Sequence, residues 1–319
     1  MARRVVVLDS GYDSYDTERA ILAPLGAEVV VRACDRDAAR VAEALRDAEA
    51  ALVRESPVTA AAIAAAPALR AIVRYGIGID NIDLDAARAR RVFVANVPDY
   101  GAEEVSDQAL ALLYAVVRRV AARDRAVREG AWNVSRHERM YRVAGRTLGL
   151  VGYGRIARAF ERKLRGCGVA RVLVSDPHAA PAPGIEIVDL DTLCREADYV
   201  SLHAPLVPET RHLIDRRRLA LMKPTAILVN TARGPLVDEE ALVEALAAGR
   251  LFGAGIDVYE HEPPRRGHPL FGLANAVLSD HTGWYSEESV AELQSKAAAE
   301  VARVLAGERP LHWVNPWPQ

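Results

Sequence analysis

The sequence predicts an α/β protein with two doubly wound parallel-sheet domains. Short runs of aliphatic and β-branched residues alternate with alanine-rich helical segments along almost all of its 319 residues. These apolar runs are continuous, which is typical of strands covered on both faces, as in a parallel sheet. Five runs precede residue 98 and six follow residue 146, so the strands form two series. A chain of this length can bury one core in each of two domains.

The first series contains five predicted strands, namely 4–9, 28–33, 50–55, 70–76 and 92–97. Helical stretches between them include 36–48 and 59–66. A longer helix is predicted from Ser106 to about residue 129. Serine is a favoured N-cap, and Asp107 then places a negative charge in the first turn.

The second series contains six predicted strands, namely 147–154, 171–177, 198–205, 226–234, 251–259 and 276–279. The helices among them include 238–248, and a last helix spans about 286–306. Strands that alternate with helices in this way predict a second parallel sheet. No low-complexity linker separates the two series.

Composition excludes several classes of partner. The formal net charge of −2 provides no general attraction to nucleic acid or to an anionic membrane. The longest apolar run, 109–117, is far shorter than the roughly 20 residues of a membrane span. Cys34, Cys167 and Cys194 lack C-x-x-C spacing, which favours a reducing compartment. The amino terminus does not resemble a signal peptide, so we expect a cytoplasmic protein.

A glycine-rich turn in the stretch "GLVGYGRIARAFERKL" indicates a dinucleotide site. Gly152 and Gly154 lie between a predicted strand and a predicted helix, and Ala157 occupies the third motif position. The first glycine permits a tight turn, and the second lets the backbone approach a pyrophosphate at the helix N-terminus. Asp176 ends the next strand and would accept hydrogen bonds from the adenosine ribose. Its negative charge favours NAD over NADP. An ordinary Asp-Pro turn at the end of the strand would also explain an aspartate at this position.

Polar residues follow three later strands of the same series. Arg233 lies in "NTARG", Asp257 and Glu262 in "DVYEHEP", and His281 in "SDH". In an open α/β sheet, ligands bind beyond the carboxyl ends of the strands. We therefore expect these side chains to share one site. A zinc hydrolase site is not indicated, because "HEPPRRGH" lacks the spacing of H-E-x-x-H, and no metal is predicted.

These motifs resemble the D-isomer-specific 2-hydroxyacid dehydrogenase family over essentially the whole chain. The most specific stretches are "GYGRIA", "SLHAPLVPETRHLI", "LVNTARGPLVDEEAL", "GAGIDVYEHEPP" and "LSDHTGWYSEES". Within the family, "VRYGIGIDNIDLDAA" and the tryptophan at 284 look most like the C-terminal-binding-protein branch. Alanine instead of glycine at 157 and the "APAPG" segment are modest departures.

The resemblance implies a Rossmann nucleotide-binding domain and a flavodoxin-like substrate domain. The substrate domain would be discontinuous, formed by 1–98 and 286–319, and 99–285 would bind NAD. Family members usually dimerise, which suggests a homodimer interface on the apolar face of helix 106–129 and on the arm that follows it, "GAWNVSRHERMYRV".

The resemblance also assigns roles to individual residues. Arg233 would bind substrate, His281 would be the acid–base and Glu262 its partner. Further residues would contact the cofactor, namely Gly152, Gly154, Arg155, Ile156, Asp176, His203, Ala204, Pro205, Thr231, Ala232, Asp257 and Gly283. Others would contact the substrate, namely Arg54, Arg74, Tyr75, Gly76, Gly78 and Trp284. Either arginine of the first domain could instead be a solvated surface residue.

The chemistry of a 2-keto acid reduction fits these residue types. A guanidinium is a planar fork that binds a carboxylate and reaches the ketone oxygen, where negative charge develops. An imidazole can act as acid or base near neutral pH, and a neighbouring carboxylate favours its charged form. Two alternatives stay open, an NAD-binding scaffold with little turnover and a phosphite-type dehydrogenase. The identity of the 2-hydroxy acid is not indicated.

Overall fold

The computed structural model describes residues 3–132 and 138–317 and separates the chain into two compact units. The first unit consists of Met1–Tyr100 with Ser286–Gln319, and the second of Gly101–Tyr285. The division therefore follows residue 100, whereas the predicted boundary follows residue 98. The difference arises because Gly101, at a φ of 64°, is the N-cap of the helix that opens the second unit.

A five-stranded parallel sheet forms the centre of the first unit. Its strands are β1 (Arg3–Val7), β2 (Ala27–Val31), β3 (Ala50–Val53), β4 (Ala71–Arg74) and β5 (Phe93–Ala95). They lie in the order β2-β1-β3-β4-β5. The chain thus adds β2 on one side of β1 and then adds β3 on the opposite side of β1. This reversal is the topological switch point at which doubly wound sheets bind ligands.

Four short helices and the C-terminal helix cover this sheet. The short helices are α1 (Asp16–Leu22), α2 (Ala38–Leu45), α3 (Ala60–Ala64) and α4 (Leu84–Ala89), and the C-terminal helix is Glu287–Leu305. Side-chain caps start α2 and α3, because Asp37 and Thr59 accept hydrogen bonds from first-turn amides. The C-terminal helix packs on α1, where Gln294 donates to the buried carboxylate of Glu18 at 3.0 Å.

The second unit contains a seven-stranded parallel sheet. Its strands are β6 (Thr147–Val151), β7 (Arg171–Ser175), β8 (Glu186–Ile187), β9 (Tyr199–Leu202), β10 (Ile227–Asn230), β11 (Gly253–Ile256) and β12 (Ala276–Leu278). They lie in the order β12-β11-β10-β9-β6-β7-β8, with the switch point between β6 and β9. The sequence did not reveal β8, which has two residues, both exposed.

The described residues of the second unit form six α-helices, and one prediction about them is wrong. They are α5 (Ala102–Val117), α6 (Val120–Arg128), α7 (Arg155–Gly166), α8 (Leu190–Glu196), α9 (Arg216–Leu221) and α10 (Glu239–Ala247). The predicted single helix 106–129 begins earlier and breaks at Arg119, whose φ of 54° is left-handed. Ser106 is not its cap. It is buried within α5, where its hydroxyl donates to the Glu103 carbonyl at 2.8 Å and accepts from Lys163 at 2.7 Å.

Across residues 3–132 and 138–317, no helix combines the length and apolar character needed to cross a bilayer. The apolar run 109–117 instead lies within α5, where Ala109, Leu112 and Leu113 join the core beneath the sheet of the second unit.

Candidate active site

The turn between β6 and α7 has the backbone that a bound pyrophosphate requires. Gly152 has a φ of 85°, in the left-handed region that favours glycine. A Cβ there would lie 2.7 Å from the Ala204 nitrogen and 2.9 Å from the His203 carbonyl oxygen. Gly154 is the N-cap of α7 and receives no side-chain cap, and a Cβ on it would meet nothing within 4 Å. The turn therefore leaves a helix N-terminus open to an anion.

The first turn of α7 carries the rest of this motif. Arg155 is exposed and Ile156 is half-buried. Ala157, at the position where glycine is usual, is fully buried and packs in the core with Phe160. The helix and sheet therefore accommodate its methyl group within their packing.

Asp176, which follows β7, is connected directly to the glycine turn. Its Oδ2 accepts a hydrogen bond from the Tyr153 amide at 2.7 Å, and its Oδ1 accepts one from the His178 amide at 2.7 Å. Two amides thus fix the orientation of a half-buried carboxylate beside the turn. A carboxylate held in this position suits the ribose hydroxyls of a dinucleotide.

Thr231, directly after β10, supplies an independent sign that the second unit is built to hold a ligand. Its side chain is 8% exposed, and its Oγ1 has no hydrogen-bond partner among the described residues. A buried hydroxyl without a partner is costly, and a bound molecule can supply that partner. Together with the open glycine turn and the fixed Asp176, this hydroxyl fits a dinucleotide cofactor.

His203 follows β9, and its backbone lies next to the glycine turn. Its Nε2 lies 2.9 Å from the Ser201 hydroxyl. Burial lowers the pKa of His203 to about 3. The ring is therefore neutral near pH 7 and cannot serve as a cationic acid. Ala204 is buried beside it and Pro205 is exposed, so this segment forms a wall next to the glycine turn.

Arg233 lies in a loop that Asn230 holds in place. The predicted strand 226–234 is too long, because β10 ends at Asn230. The Asn230 side chain then bonds the following backbone, accepting from the Ala232 amide at 3.1 Å and donating to the Arg233 carbonyl at 2.9 Å. These hydrogen bonds take the place of the bonds between strands, so the chain turns away from the sheet after Asn230. The Arg233 guanidinium also donates to the Ala232 carbonyl at 2.8 Å.

Gly234 allows this loop to pack against the segment that follows β11. A Cβ on it would lie 1.9 Å from the carbonyl carbon of Tyr259 and 2.4 Å from the Glu260 nitrogen. Only a residue without a side chain fits that contact. The contact brings the Arg233 loop next to the segment that carries Glu262.

The imidazole of His281 and the carboxylate of Glu262 form a direct pair. Nδ1 of His281 lies 2.7 Å from Oε2 of Glu262, and Oε1 of Glu262 accepts from the Tyr259 amide at 3.0 Å. Burial opposes ionisation of Glu262, but the bond and charge of His281, the Tyr259 amide and the charge of Arg233 outweigh it and hold its pKa below the usual range. The carboxylate is therefore ionised near pH 7.

The backbone at His281 is also unusual. Its φ is 60°, a left-handed value that is uncommon for a residue other than glycine. The imidazole is 37% exposed, so its Nε2 edge can reach a bound molecule. Strained backbone of this kind clusters at functional sites because surrounding contacts must enforce it.

Asp257 provides those contacts. Its side chain is 1% exposed. Oδ1 accepts from the Ser279 hydroxyl at 2.6 Å and from the Thr282 amide at 3.2 Å, and Oδ2 accepts from the Gly283 amide at 3.0 Å. The Asp257 carbonyl accepts from the His281 amide at 2.8 Å. Asp257 thus organises the loop that presents the imidazole.

The other predicted substrate residues are distributed over both units. Trp284 lies in the second unit, where its backbone packs against Gly101. Arg54, Arg74, Tyr75 and Gly76 lie in the first unit, at the carboxyl ends of β3 and β4. Tyr75 is buried and donates to Glu18 at 2.7 Å.

The predicted glycine loop of the first unit also has a demanding backbone. Gly76 has a φ of 139°, and a Cβ on it would lie 1.3 Å from Nη1 of Arg74. The amide of Gly76 donates to the Arg74 carbonyl at 2.9 Å. Gly78 follows in the same loop. The positive φ favours glycine at 76, whereas the guanidinium of Arg74 is the end of a flexible side chain that can move away.

The second unit brings together the charged residues that the sequence singled out there, Arg233, Glu262 and His281, at the ends of neighbouring strands. Within the described ranges, no group of three or more His, Cys, Asp or Glu side chains is arranged to hold a metal ion. Sequence reasoning missed the residues that support this site, Asn230, Gly234 and Ser279. An asparagine at a strand end and the glycine of "ARG" were the available signals for the first two.

Comparison with known proteins agrees with this geometry. Residues 110–283 match the family described as "D-isomer specific 2-hydroxyacid dehydrogenase, NAD binding domain". A glyoxylate reductase of Korarchaeum cryptofilum is 42% identical over 283 residues, which cover 86% of this chain and 85% of that protein. A D-3-phosphoglycerate dehydrogenase of Mycobacterium tuberculosis is 42% identical over 297 residues. These cover 90% of this chain and 55% of the relative, so this chain spans about half of that protein's length.

A solved structure has the same fold over nearly all of this chain. The TT0316 protein of Thermus thermophilus is 39% identical, with a TM-score of 0.89 over 98% of this chain and 99% of that one. The family match covers more than half of the residues, including the glycine turn, and a relative 42% identical covers 86% of the chain. The chain therefore belongs to the D-isomer-specific 2-hydroxyacid dehydrogenases and is an NAD-dependent oxidoreductase of 2-hydroxy acids.

Proposed function

We propose that the enzyme reduces a 2-keto acid to a D-2-hydroxy acid with His281 as proton donor and Arg233 as the substrate-binding guanidinium. The observation that carries this proposal is the pair of His281 with the ionised Glu262, which also experiences the charge of Arg233. The reverse oxidation uses the same groups, with the imidazole as base.

The chain's own residues position and protonate the substrate. Arg233 binds the carboxylate and polarises the ketone oxygen, where negative charge develops during reduction. Glu262 accepts the Nδ1 proton of His281, which fixes the ring orientation and leaves Nε2 as the proton donor to the alkoxide oxygen. The nicotinamide, when bound, supplies the hydride to C2.

The cofactor-binding residues are proposed from the second unit alone. Gly152 and Gly154 admit the pyrophosphate, with Arg155 and Ile156 in the first helical turn beside it. Asp176 binds the ribose, which favours NAD over a 2′-phosphorylated dinucleotide. His203, Pro205, Thr231, Ala232, Asp257 and Gly283 complete the proposed cofactor site. The hydroxyl of Thr231 offers a hydrogen bond that no described residue takes up.

The first unit, Met1–Tyr100 with Ser286–Gln319, is proposed as the substrate-binding domain, and Gly101–Tyr285 as the NAD-binding domain. Backbone amides near Gly76 and the side chains of Arg54, Arg74 and Tyr75 would contact the acid. Trp284, which belongs to the NAD-binding domain, is also proposed to contact the substrate. Assignment to the C-terminal-binding-protein branch stays a prediction.

The decisive experiment is turnover of a panel of 2-keto acids with NADH, followed by the loss of NADH absorbance. His281→Ala should lower kcat by about 100-fold or more, in line with the contribution of a general acid. His261→Ala is the matched control, because that exposed histidine precedes Glu262 in the same loop. A His281→Ala enzyme that keeps near-wild-type kcat would exclude the proton-donor role.

We also propose a homodimer. The second unit exposes three large apolar side chains near α6, with Val120 at 55%, Val127 at 54% and Trp132 at 83% exposed. Part of the predicted arm, residues 133–137, lies outside the described residues. Light scattering should give twice the chain mass of 34.7 kDa. The double variant Val127→Glu/Trp132→Glu should reduce the measured mass to that of one chain.

A cytoplasmic location is proposed from the cysteines. Cys34, Cys167 and Cys194 are not disulfide-bonded. Unpaired thiols persist in reducing compartments, where NAD is also available. Fractionation of the source cells tests this proposal, and recovery of the enzyme in a secreted fraction would contradict it.

A further inference from the structure

A second pair of a histidine and a carboxylate adjoins the segment that carries Glu262. Glu239 is the first residue of α10, and its Oε1 lies 2.8 Å from Nε2 of His268. Both side chains are largely enclosed, with 16% of Glu239 and 11% of His268 exposed. Oε2 of Glu239 accepts a hydrogen bond from the Glu260 amide at 3.2 Å. The pair therefore holds the backbone two residues before Glu262.

The surroundings of His268 determine which ring nitrogen carries its proton. His268 is the N-cap of the short 3₁₀ helix Pro269–Gly272, and its Nδ1 accepts a hydrogen bond from the Leu270 amide at 3.3 Å. A neutral ring that accepts at Nδ1 carries its proton on Nε2, so it donates to Glu239. The ring also packs edge-on against Tyr259, with 6.0 Å between the ring centres. Glu239 thus accepts one hydrogen bond at each oxygen.

The peptide bond between Tyr259 and Glu260 is fixed by two contacts. Its N–H donates to Glu239, and its carbonyl group packs against Gly234, where a Cβ would lie 1.9 Å from the carbonyl carbon. The amide of Tyr259, at the other end of the same residue, donates to Oε1 of Glu262 at 3.0 Å. Movement of this peptide would therefore displace the donor that holds the Glu262 carboxylate.

The carboxylate of Glu260 is directed to a different part of the second unit. It accepts from Arg211 at 3.0 Å and lies 2.6 Å from Nε2 of His212. Arg211 is exposed and His212 is partly exposed, so solvent weakens both contacts. The Glu260 amide is held by the more enclosed Glu239, and this bond is the stronger constraint on the backbone next to Glu262.

We propose that Glu239 and His268 are positioning residues for the Glu262 carboxylate. Glu239 holds the backbone from which that carboxylate reaches the imidazole of His281, and His268 holds Glu239. This proposal rests on the proposed role of His281 as the proton donor. It extends the acid–base site by two residues that act through Glu262.

The first test compares Glu239→Ala with Glu240→Ala in the full-length enzyme, with NADH and a keto acid that it reduces. Glu240 is the next residue of α10 and is exposed, so it is the matched control. Glu239→Ala should lower kcat about 5- to 20-fold, because a catalytic group displaced by about 1 Å can lose up to about 100-fold in rate. KM for NADH and for the keto acid should change less than about 3-fold. Equal kcat in the two variants, or a change in KM alone, would overturn the proposal.

A separate control accounts for loss of stability. Asp189 caps α8 in the same unit by accepting from the Thr192 amide at 2.9 Å, so Asp189→Ala should lower Tm while kcat stays at the wild-type value. Glu239→Ala should lower Tm as well, because it removes two hydrogen bonds. All variants are assayed well below their Tm. An equal loss of kcat in Asp189→Ala would attribute the effect to stability and overturn the positioning role.

A double-mutant cycle tests whether His268 acts through Glu239. His268→Phe keeps a ring beside Tyr259 and removes the Nε2 donor. It should lower kcat about 3- to 10-fold alone, and less than about 2-fold when Glu239 is already alanine. Losses that multiply in the double variant would show that the two residues act independently and would overturn the relay.

A further measurement does not depend on turnover. In enzyme labelled with ¹⁵N-histidine, the ring-nitrogen resonances of His281 are assigned by their loss in His281→Ala. Glu239→Ala should shift the Nδ1 resonance, because the bond to Glu262 is disturbed, whereas Glu240→Ala should leave it in place. An unshifted resonance in Glu239→Ala would overturn the proposal. If the resonance shifts but His281→Ala keeps its kcat, the proton-donor role fails while the positioning of Glu262 stands.

Discussion

Replacing each glycine of the phosphate turn by alanine should produce two different defects. In Gly152→Ala the new Cβ meets backbone atoms of His203 and Ala204 at 2.7 to 2.9 Å, and the φ of 85° is strained for alanine. In Gly154→Ala the new Cβ meets no protein atom within 4 Å, and the φ of −81° is ordinary. The first variant therefore damages the fold, and the second damages only what binds at the helix N-terminus.

The magnitudes follow from these contacts. A left-handed alanine costs about 1–2 kcal/mol and overpacking against backbone typically costs about 1–3 kcal/mol, so Gly152→Ala should lose about 2–5 kcal/mol. For a unit of the size of Gly101–Tyr285 this corresponds to a Tm lower by about 5–15 °C. Gly154→Ala should lose at most about 1 kcal/mol, the difference between glycine and alanine as a helix cap.

Calorimetry and NADH fluorescence titration together test this reasoning. Gly154→Ala should keep its Tm within about 3 °C yet raise the Kd for NADH at least about 10-fold, because a methyl group intrudes where the pyrophosphate approaches. The reasoning is refuted if Gly154→Ala binds NADH like the wild type, or if Gly152→Ala melts at the wild-type temperature. The first result would mean that the turn does not hold the cofactor, and the second that position 152 tolerates a side chain.

Three further predictions concern charge and packing. Glu262→Gln should lower kcat for keto acid reduction about 10- to 100-fold, because the imidazole of His281 loses the carboxylate that lies 2.7 Å from its Nδ1; an unchanged kcat would contradict this. Gly234→Ala should lower Tm and kcat together, since its Cβ would lie 1.9 Å from the Tyr259 carbonyl, and calorimetry with steady-state kinetics checks both. His203 has a folded pKa of about 3, below its unfolded value of about 6.5. Its contribution to the free energy of unfolding is therefore present above pH 6.5 and is lost as the pH falls toward 3, by roughly 1.4 kcal/mol per pH unit. In urea unfolding, the free energy of unfolding of His203→Gln should decrease less steeply with falling pH than that of the wild type.

The order of strands and helices was predictable because it depends on local apolar runs. The residues at which the strands and helices begin and end were not predictable, because side-chain hydrogen bonds rather than apolar runs set these limits. The strand 226–234 stops at Asn230, whose side chain bonds the backbone of Ala232 and Arg233. The helix from Ser106 was predicted from a serine followed by an acid, but that serine lies inside α5 and bonds Lys163, 57 residues away. A capping signal and a buried tertiary contact look alike in sequence.

The reactive groups of the site were predictable for a different reason. Charged side chains after consecutive strands of one parallel sheet must lie at the same edge, so Arg233, Glu262 and His281 could be grouped from their positions alone. The supporting contacts could not be grouped in this way. Ser279 meets Asp257 across 22 residues, and its hydroxyl resembles any other polar residue near a strand end.

Two of the three carboxylates of "DVYEHE", Asp257 and Glu262, show how the same chemical group serves separate tasks through burial. Asp257 is almost completely buried, and both of its oxygens accept hydrogen bonds from the loop Ser279–Gly283, so its charge serves to hold that loop in shape. Glu262 is partly exposed. One of its carboxylate oxygens accepts a hydrogen bond from a backbone amide, and the other is hydrogen-bonded to the imidazole. The rigid loop enforces the positive φ of His281 and so fixes the backbone that carries the imidazole. The neighbouring carboxylate of Glu262 then orients the ring through Nδ1, so the two acids hold the backbone and the side chain of the same residue.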